Sequence, residues 1–390
     1  MMENDERSKL LKSIRILHCA DIHFDIPFTS LGSNKILPSI RRQDIRETFS
    51  NIISFAKENK SHLLLICGDF FEHEYTKKSF VGYANSKFNE IPNTKVLIIP
   101  GNHDAYCADS LYHTQKWSDN TYIFTSDKDY CELNDIGVRI YGAGIRGVIG
   151  EDVKSLPDNI DSSYINILML HGTLDMNIGK KIYNHIRSAE LDKLGFDYVA
   201  LGHFHNKIEA AGKLNNIFNP GSPEPLGFDE MGEHGVFAGV ITKQKNEPAK
   251  LDISFKRMNK REYKKINIKL EELLTEGQII EKIEEEISCI DVANVLLQVI
   301  LKGVINHGLK INIVTLESFL KEKVFFIKFK NDTSLIPDIK KTAEEEGLKG
   351  VFAQKILRLI DEAVDEEEKR IYERAFNYGI EALEEGRIII

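Results

Sequence analysis

No apolar run in this 390-residue chain approaches the roughly 20 residues that span a bilayer. The opening residues, MMENDERSKLLKS, also lack the apolar core of a signal segment, so a cytoplasmic location is expected. Cysteine is scarce: five residues, an odd number, with no two at Cys-x-x-Cys spacing. That argues against a disulfide framework and against a zinc site built on cysteines. Cys67, inside LLLIC, reads as a buried thiol. Cys19 and Cys107 lie close to the candidate ligands below, each either a stray thiolate or a small packed residue. Positive charge is also in deficit. A formal net charge of −9 argues against a free-standing, non-specific DNA binder, which is usually basic. It leaves room for a protein that meets nucleic acid through bound cations or a partner's surface. Internal repeats and low-complexity stretches are absent.

What is present is an ordinary globular composition, 42% hydrophobic and 28% charged, on a chain long enough for two or three domains. Over residues 14–256, short apolar runs alternate with glycine-rich or polar loops. IRILHCA (14–20), LLLIC (63–67), KVLII (95–99), VRIYGAG (138–144), INILMLH (165–171), DYVALGH (197–203), NIFNPGS (216–222), VFAGVIT (236–242) and LDISFK (251–256) read as strands. RRQDIRETFSNIISFAKEN reads as a helix with Phe49, Ile52, Ile53 and Ala56 on one face; TKKSFVGYANSKFNEI offers Phe80, Tyr83 and Phe88. The order βαβα, then mostly strands, predicts an α/β sandwich with outer helices. Residues 257–263, RMNKREY, read as a linker. KINIKL, VLLQVILKGV and FFIKFK then read as strands of a small α+β domain, separated by helices that Thr275 and Thr315 can cap. From about residue 336 helices are expected, with Ile356, Leu359, Ile360 and Val364 on one stripe and Ile371, Phe376, Ile380 and Leu383 on another. The resulting division is 1–256, 257–335 and 336–390.

The residues that carry chemistry gather at strand ends. Asp21 and His23 follow the first strand, Asp69 follows LLLICG and Asn102 follows KVLIIPG. His171 ends INILMLH, and His203 and His205 follow DYVALG. Loops converge at that edge in layered α/β folds. Two carboxylates, one amide oxygen and four imidazoles, with no thiolate, suit Mn2+, Fe2+ or Zn2+ better than a pure calcium or magnesium site. Seven ligands are too many for one tetrahedral ion and suit two, with one carboxylate bridging. Asp69, alone on its loop, is the candidate bridge. Two ions about 3.5–4 Å apart can clamp the phosphate oxygens of an in-line displacement. His103 stands apart, its ring expected to point past the metals toward a leaving group. Asp104 is expected to hold that imidazole and raise its pKa, making the pair the catalytic acid. The plainer alternative is that His103 caps the loop.

Taken in order, D-x-H, G-D-x-x-E, G-N-H-D, H-G and G-H-x-H resemble the signature blocks of the calcineurin-like metallophosphoesterase superfamily. More narrowly, ADIHFDIPF, ICGDFFE, IIPGNHD, LMLHG, ALGHFH and NPGSPEPLGFDE resemble a divergent branch of the SbcD-type DNA repair exonuclease subunits. The likeness is close over residues 14–256 and rests on domain order beyond them. It implies a four-layer α/β sandwich, two sheets flanked by helices, followed by a small α+β cap domain and a helical C-terminal tail. It implies one metal held by Asp21, His23, Asp69 and His205 and another held by Asp69, Asn102, His171 and His203. Mn2+ is the usual ion in that family, and His103 matches its catalytic histidine. The implied activity is that of an exonuclease and endonuclease subunit acting on DNA in repair, with an SbcC-like SMC ATPase as partner and often as a homodimer. A phosphodiesterase or phosphatase for a small nucleotide or other phosphoester is the rival reading, and a scaffold without turnover a second.

One position departs from the pattern. Some family members carry a histidine three residues after the bridging aspartate; here Glu72 stands there, followed by His73. Glu72 suits an acidic position that orients a metal ligand. Ser222 and the Gly221 backbone either meet a phosphate or build a tight turn with Asn219, Pro220 and Pro223. Arg146 reads as a solvated loop arginine. The histidines at 18, 62, 113, 185, 234 and 307 read as surface or packing residues, His18 as buried. The C-terminal stripes either pack back on the catalytic domain or dock the ATPase, the acidic stretch 361–385 favouring a basic partner surface.

Overall fold

The computed structural model describes residues 11–31, 36–125, 130–143, 160–175, 185–245, 247–271, 273–305, 309, 311–335 and 338–385. Arg146 and His307 lie outside them. Two units divide the chain, Met1–Tyr263 and Lys264–Ile390.

The principal strands of the first unit are β1 (Lys12–Cys19), β2 (Leu63–Cys67), β3 (Lys95–Ile99), β4 (Thr121–Ile123), β5 (Tyr130–Leu133), β6 (Val138–Ala143), β7 (Ile165–His171), β8 (Tyr198–Gly202), β9 (Ile208–Ala211), β10 (Ile217–Asn219), β11 (Gly235–Lys243) and β12 (Lys250–Arg257). Its longer helices are α1 (Leu37–Glu58) and α2 (Ser79–Phe88). One six-stranded sheet runs β12-β11-β1-β2-β3-β4 and the other β9-β10-β8-β7-β6-β5. Strands β1 to β4 pair in parallel, as do β6, β7, β8 and β10. Strands β2, β7 and β8 are buried along their whole length, which is why they read as unbroken apolar runs.

The pleat sorts their side chains. Ile14, Ile16, Leu63 and Leu65 join Ile167, Met169, Tyr198 and Ala200 in one buried cluster, so the two sheets pack face to face. Leu168, Leu170, Val199 and Leu201, at the alternate positions, face the other way and pack with Leu191 and Phe196. Leu191 ends a short helix, Ser188–Leu191, that covers this outer face. Outside the first sheet, α1 buries Phe49, Ile52, Ile53 and Ala56 as its periodicity predicts. Phe49 meets Phe24 at 5.2 Å between ring centroids and Phe70 at 5.6 Å. Each of these buried phenylalanine and isoleucine side chains contributes roughly 1.5–3 kcal/mol of hydrophobic stabilisation. The α/β sandwich is therefore as expected. The short strands β4, β5 and β9 escaped the sequence reading because three or four half-exposed residues carry no apolar run.

The second unit is built on β13 (Glu262–Lys269), which begins at the end of the first, with β14 (Val295–Ile305) and β15 (Phe326–Leu335). The sheet order is β13-β14-β15, and β14 and β15 are parallel. Parallel neighbours need a crossover, which α4 (Ile313–Leu320) supplies; α3 (Glu276–Ile287) links β13 to β14. Ile279, Ile283, Leu316 and Leu320 pack on Leu297, Val299 and Leu301. Thr275 caps α3 in a capping box with Gln278. The cap of α4 is Asn312, not Thr315: its side chain accepts from Val314 N and Thr315 N at 3.1 and 3.3 Å, placing Thr315 inside the helix. Helices α5 (Leu348–Glu362) and α6 (Glu366–Glu385) close on a seam of Ala353, Ile356, Phe376 and Ile380. The expected stripes split there. Val364 falls between the two helices and is 87% exposed, and Ile371, on the second helix, is 59% exposed and outside the seam where Phe352 and Phe376 stack. Among the described residues no helix is long and apolar enough to cross a membrane.

Candidate metal centre

The carboxyl ends of β1, β2, β3, β7 and β8 bring all seven candidate ligands together. Backbone strain marks four of them: Asp21, His23, Asp69 and His203 have φ of 51°, 51°, 48° and 94°. Non-glycine residues adopt the left-handed region at a cost of about 1–3 kcal/mol, and such residues cluster at functional sites. Gly68, with φ of +83°, shows how tight the packing is: a Cβ there would lie 2.0 Å from His171 Nδ1.

Two groups form. Asp21, His23 and His205 offer ligand atoms to one point, and Asp69, His171 and His203 to another. Asp69 joins them, with Oδ2 3.2 Å from His171 Nε2 and 3.7 Å from His23 Nε2. Asn102 Oδ1 lies 3.1 Å from His171 Nε2 and 3.0 Å from His203 Nδ1. Asp21, fully buried, accepts from the backbone N of His203 at 2.9 Å.

The tautomers decide what these groups can hold. His23 Nδ1 donates to Glu72 Oε1 and His205 Nδ1 to Glu230 Oε1, both at 2.7 Å. In the neutral rings each Nε2 is then an acceptor, yet the two face one another at 3.2 Å. His171 Nδ1 likewise donates to Cys67 O at 2.9 Å, leaving Nε2 as an acceptor among the oxygens of Asp69 and Asn102. Acceptors that converge without donors repel unless a cation lies between them. The donor set thus fits divalent ions, and orienting a ligand imidazole through its second nitrogen is the usual way to build such a site.

The same convergence draws protons. Burial opposes charge on His171 and His205, but Asp69 and Asp21 raise the first, and Glu230 the second, to about 9. Burial would raise Asp69; His171, His23 and His103 hold it far below the usual carboxylate range. Burial, with the charge of His171, lowers His203 to about 4. Burial raises Asp21 against the pull of the neighbouring imidazoles.

His103 lies beside this group, its side chain 45% exposed, with its backbone N donating to Asp69 Oδ1 at 2.8 Å. Its ring partner is not Asp104. His103 Nδ1 donates to Glu72 Oε2 at 3.0 Å, and this hydrogen bond raises its pKa. Asp104 points inward, fully buried, and accepts from Gly101 N and Phe70 N at 2.6 and 2.7 Å and from Tyr112 OH at 2.6 Å. Burial and the charge of Asp69 push it up to about 6. Its place is in the loop's frame, because three donors of that frame consume its oxygens.

Ser222 is also directed inward. Fully buried, it donates to Glu230 Oε2 at 2.7 Å, so its hydroxyl supports the carboxylate that holds His205. Gly221, with φ of +72°, lets this turn approach: a Cβ would lie 2.2 Å from His205 O. His234, buried, meets Ser222 O at 2.7 Å and packs in the same support. Cys19 is buried, donates to Leu65 O and joins neither ligand group, whereas Cys107 is exposed. Glu230 and Arg41 escaped the sequence reading. Arg41, fully buried on α1, binds Asp44 at 2.9 Å, Glu224 at 2.7 Å and Pro225 O at 2.8 Å, pinning the segment that carries Glu230. An acidic residue closing a segment rich in proline and glycine was the available signal.

Residues 14–207 match the calcineurin-like phosphoesterase family. Families of this kind use divalent metal ions, in keeping with the two ligand groups. The chain is 26% identical over 245 residues to the uncharacterized metallophosphoesterase YhaO of Bacillus subtilis, an alignment covering 60% of this chain and 59% of that protein. It is 25% identical over 248 residues to the DNA double-strand break repair protein Mre11 of Methanopyrus kandleri, covering 57% of this chain and 52% of that one. The Mre11 of Sulfurisphaera tokodaii is 27% identical over 236 residues, covering 57% of each. The chain thus spans little more than half the length of the curated relatives it matches.

Proposed function

We propose that this chain hydrolyses phosphodiesters at a dinuclear centre, with Asp21, His23, Asp69 and His205 holding one divalent ion and Asp69, Asn102, His171 and His203 the other. The observation that carries the reading is the position of the Asp69 carboxylate, within 3.7 Å of His23 Nε2 on one side and 3.2 Å of His171 Nε2 on the other. Mn2+ suits this mixture of carboxylate, amide and imidazole, as do Fe2+ and Zn2+. When bound, two such ions supply Lewis-acid stabilisation of phosphate oxygens and acidify water. The chain's own residues do the rest. Glu72 and Glu230 fix the tautomers of His23 and His205. Glu72 also keeps His103 protonated at Nδ1 and favours its charged form, so that Nε2–H can donate to a leaving alkoxide, a contribution of roughly 10²–10⁴-fold in rate.

The finer reading is a nuclease subunit acting on DNA in repair with an SMC-like ATPase, supported by the motif resemblance and by the names that two relatives carry. Exposed Val364, Ile371 and Tyr378, in and beside the C-terminal helices, support a docking face for that partner. A chain truncated after residue 336 should then lose the ATPase. A small nucleotide remains the rival substrate. The Mn2+-loaded protein should cleave linear duplex DNA or circular single-stranded DNA as well as a chromogenic phosphodiester. Turnover confined to a cyclic nucleotide and the chromogenic ester would overturn the nuclease reading.

A further inference from the structure

Beside the dinuclear centre, a second kind of ligand set is assembled. We propose that His73, Cys107 and Asp109 form a separate site for one thiophilic divalent cation, such as Zn2+. Their ligand atoms all lie within 4.8 Å of one another. Cys107 Sγ is 3.0 Å from Asp109 Oδ1, and His73 Nε2 is 3.8 Å from Asp109 Oδ2. Zinc bound tetrahedrally by sulfur, nitrogen and oxygen at about 2.3, 2.0 and 2.1 Å has ligand-to-ligand edges of roughly 3.3–3.6 Å. The sulfur–oxygen and nitrogen–oxygen separations lie on either side of that value.

The imidazole is available. His73 turns Nε2 toward Asp109 Oδ2, at 3.8 Å, and among the described residues no carboxylate holds its Nδ1 as Glu72 holds Nδ1 of His23 and His103. Access is open too: Cys107 is exposed, and the Asp109 side chain is 83% exposed. Three protein ligands leave a fourth position for water. The thiolate separates this site chemically from the oxygen and nitrogen set of the dinuclear centre, since soft sulfur ligands select zinc-like ions over manganese. Without a cation, Cys107 donates its proton to Asp109, and burial together with that carboxylate holds the thiol above its ordinary pKa. Binding therefore releases the thiol proton, and affinity falls as the pH falls. The site would also tie two loops together at a sensitive place. His73 N donates to His103 O at 3.1 Å, so the histidine ligand is one hydrogen bond from the backbone of the proposed acid.

The test is a titration of the full-length, reduced, metal-stripped protein with Co2+. A thiolate ligand gives a near-ultraviolet sulfur-to-cobalt charge-transfer absorption that carboxylate and imidazole ligands cannot give. The band should saturate at one thiolate-bound ion per chain and bleach on adding Zn2+. It should survive Cys289→Ser, vanish in Cys107→Ser, and require at least tenfold more Co2+ in Asp109→Asn. Absence of the band from the wild-type protein, or its persistence in Cys107→Ser, would overturn the proposal and leave only a local Cys107–Asp109 hydrogen bond. Cys107 is exposed, so folding of the serine variant, read by circular dichroism, should match wild type.

Discussion

The imidazole of His103 leans on Glu72, its Nδ1 3.0 Å from Oε2, while the adjacent carboxylate of Asp104 faces the protein interior. Glu72 has a second duty, because its other oxygen takes His23 Nδ1 at 2.7 Å. One carboxylate thus orients both a proposed ligand and the proposed acid. Burial would raise Glu72, but the hydrogen bonds from His103 and His23 bring it down to about 2.

Glu72→Gln should therefore cost about 10–100-fold in metal affinity or turnover. Its thermal midpoint should stay near wild type. Asp104→Asn should do the opposite, lowering the midpoint while a folded fraction keeps its turnover, because Asp104 serves the loop and not the ring. Steady-state assays on a chromogenic phosphodiester, with melting curves beside them, separate the two. Equal effects of both substitutions on kcat would contradict this division of roles.

At the other side of the centre, Glu230 does for His205 what Glu72 does for His23. Glu230→Gln should weaken one metal position by about 10–100-fold and leave the other intact. Calorimetric titration with Mn2+ should then resolve two unequal steps where the parent shows steps closer in affinity. Unchanged binding would show that His205 needs no orienting partner.

The Arg41 cluster makes a prediction about stability alone. Glu224 accepts from Arg41, Thr48 and the backbones of Lys260 and Arg261. Glu224→Ala leaves a buried guanidinium short of a counter-charge, which costs about 3–5 kcal/mol. Urea unfolding monitored by tryptophan fluorescence is the check. A loss below about 1 kcal/mol would mean that Asp44 compensates fully.

His18 sets a pH dependence. It is fully buried between Tyr198 OH and Leu201 O, and burial lowers its pKa to about 3. A histidine depressed below its ordinary 6.5 favours the folded state fully above that pH. Below it the unfolded chain takes up a proton that the folded chain refuses, and stability falls by about 1.4 kcal/mol per unit until pH nears 3. His18→Gln removes this slope. Between pH 6.5 and 4.5, in chelator, wild type should lose about 2–3 kcal/mol more than the variant. The contributions of His171 and His205 are common to both proteins and cancel in the difference. Parallel pH curves would refute the assignment.

Much of this site was legible because its residues follow strands whose apolar runs are unmistakable. INILMLH and DYVALGH could only be interior strands, so His171 and His203 had to emerge at their ends. What the sequence could not disclose was direction. Asp104 neighbours His103 in the chain, but the loop turns its carboxylate onto Gly101 and Phe70, and a residue 31 positions away, Glu72, supplies the partner. Glu230 was hidden for the same reason, being 25 residues from the histidine it holds. In the C-terminal segment, periodicity identified the apolar residues, but the first helix stops at Glu362, before Val364, and Ile371 does not join the Phe376 seam.

Electron paramagnetic resonance of the Mn2+-loaded protein tests the central claim most directly. Two ions bridged by Asp69 should give the multiline spectrum of an exchange-coupled pair, replaced in Asp69→Asn by the six-line signal of isolated Mn2+ together with loss of phosphodiester turnover. A wild-type spectrum of isolated ions only, at saturating Mn2+, would contradict a dinuclear centre.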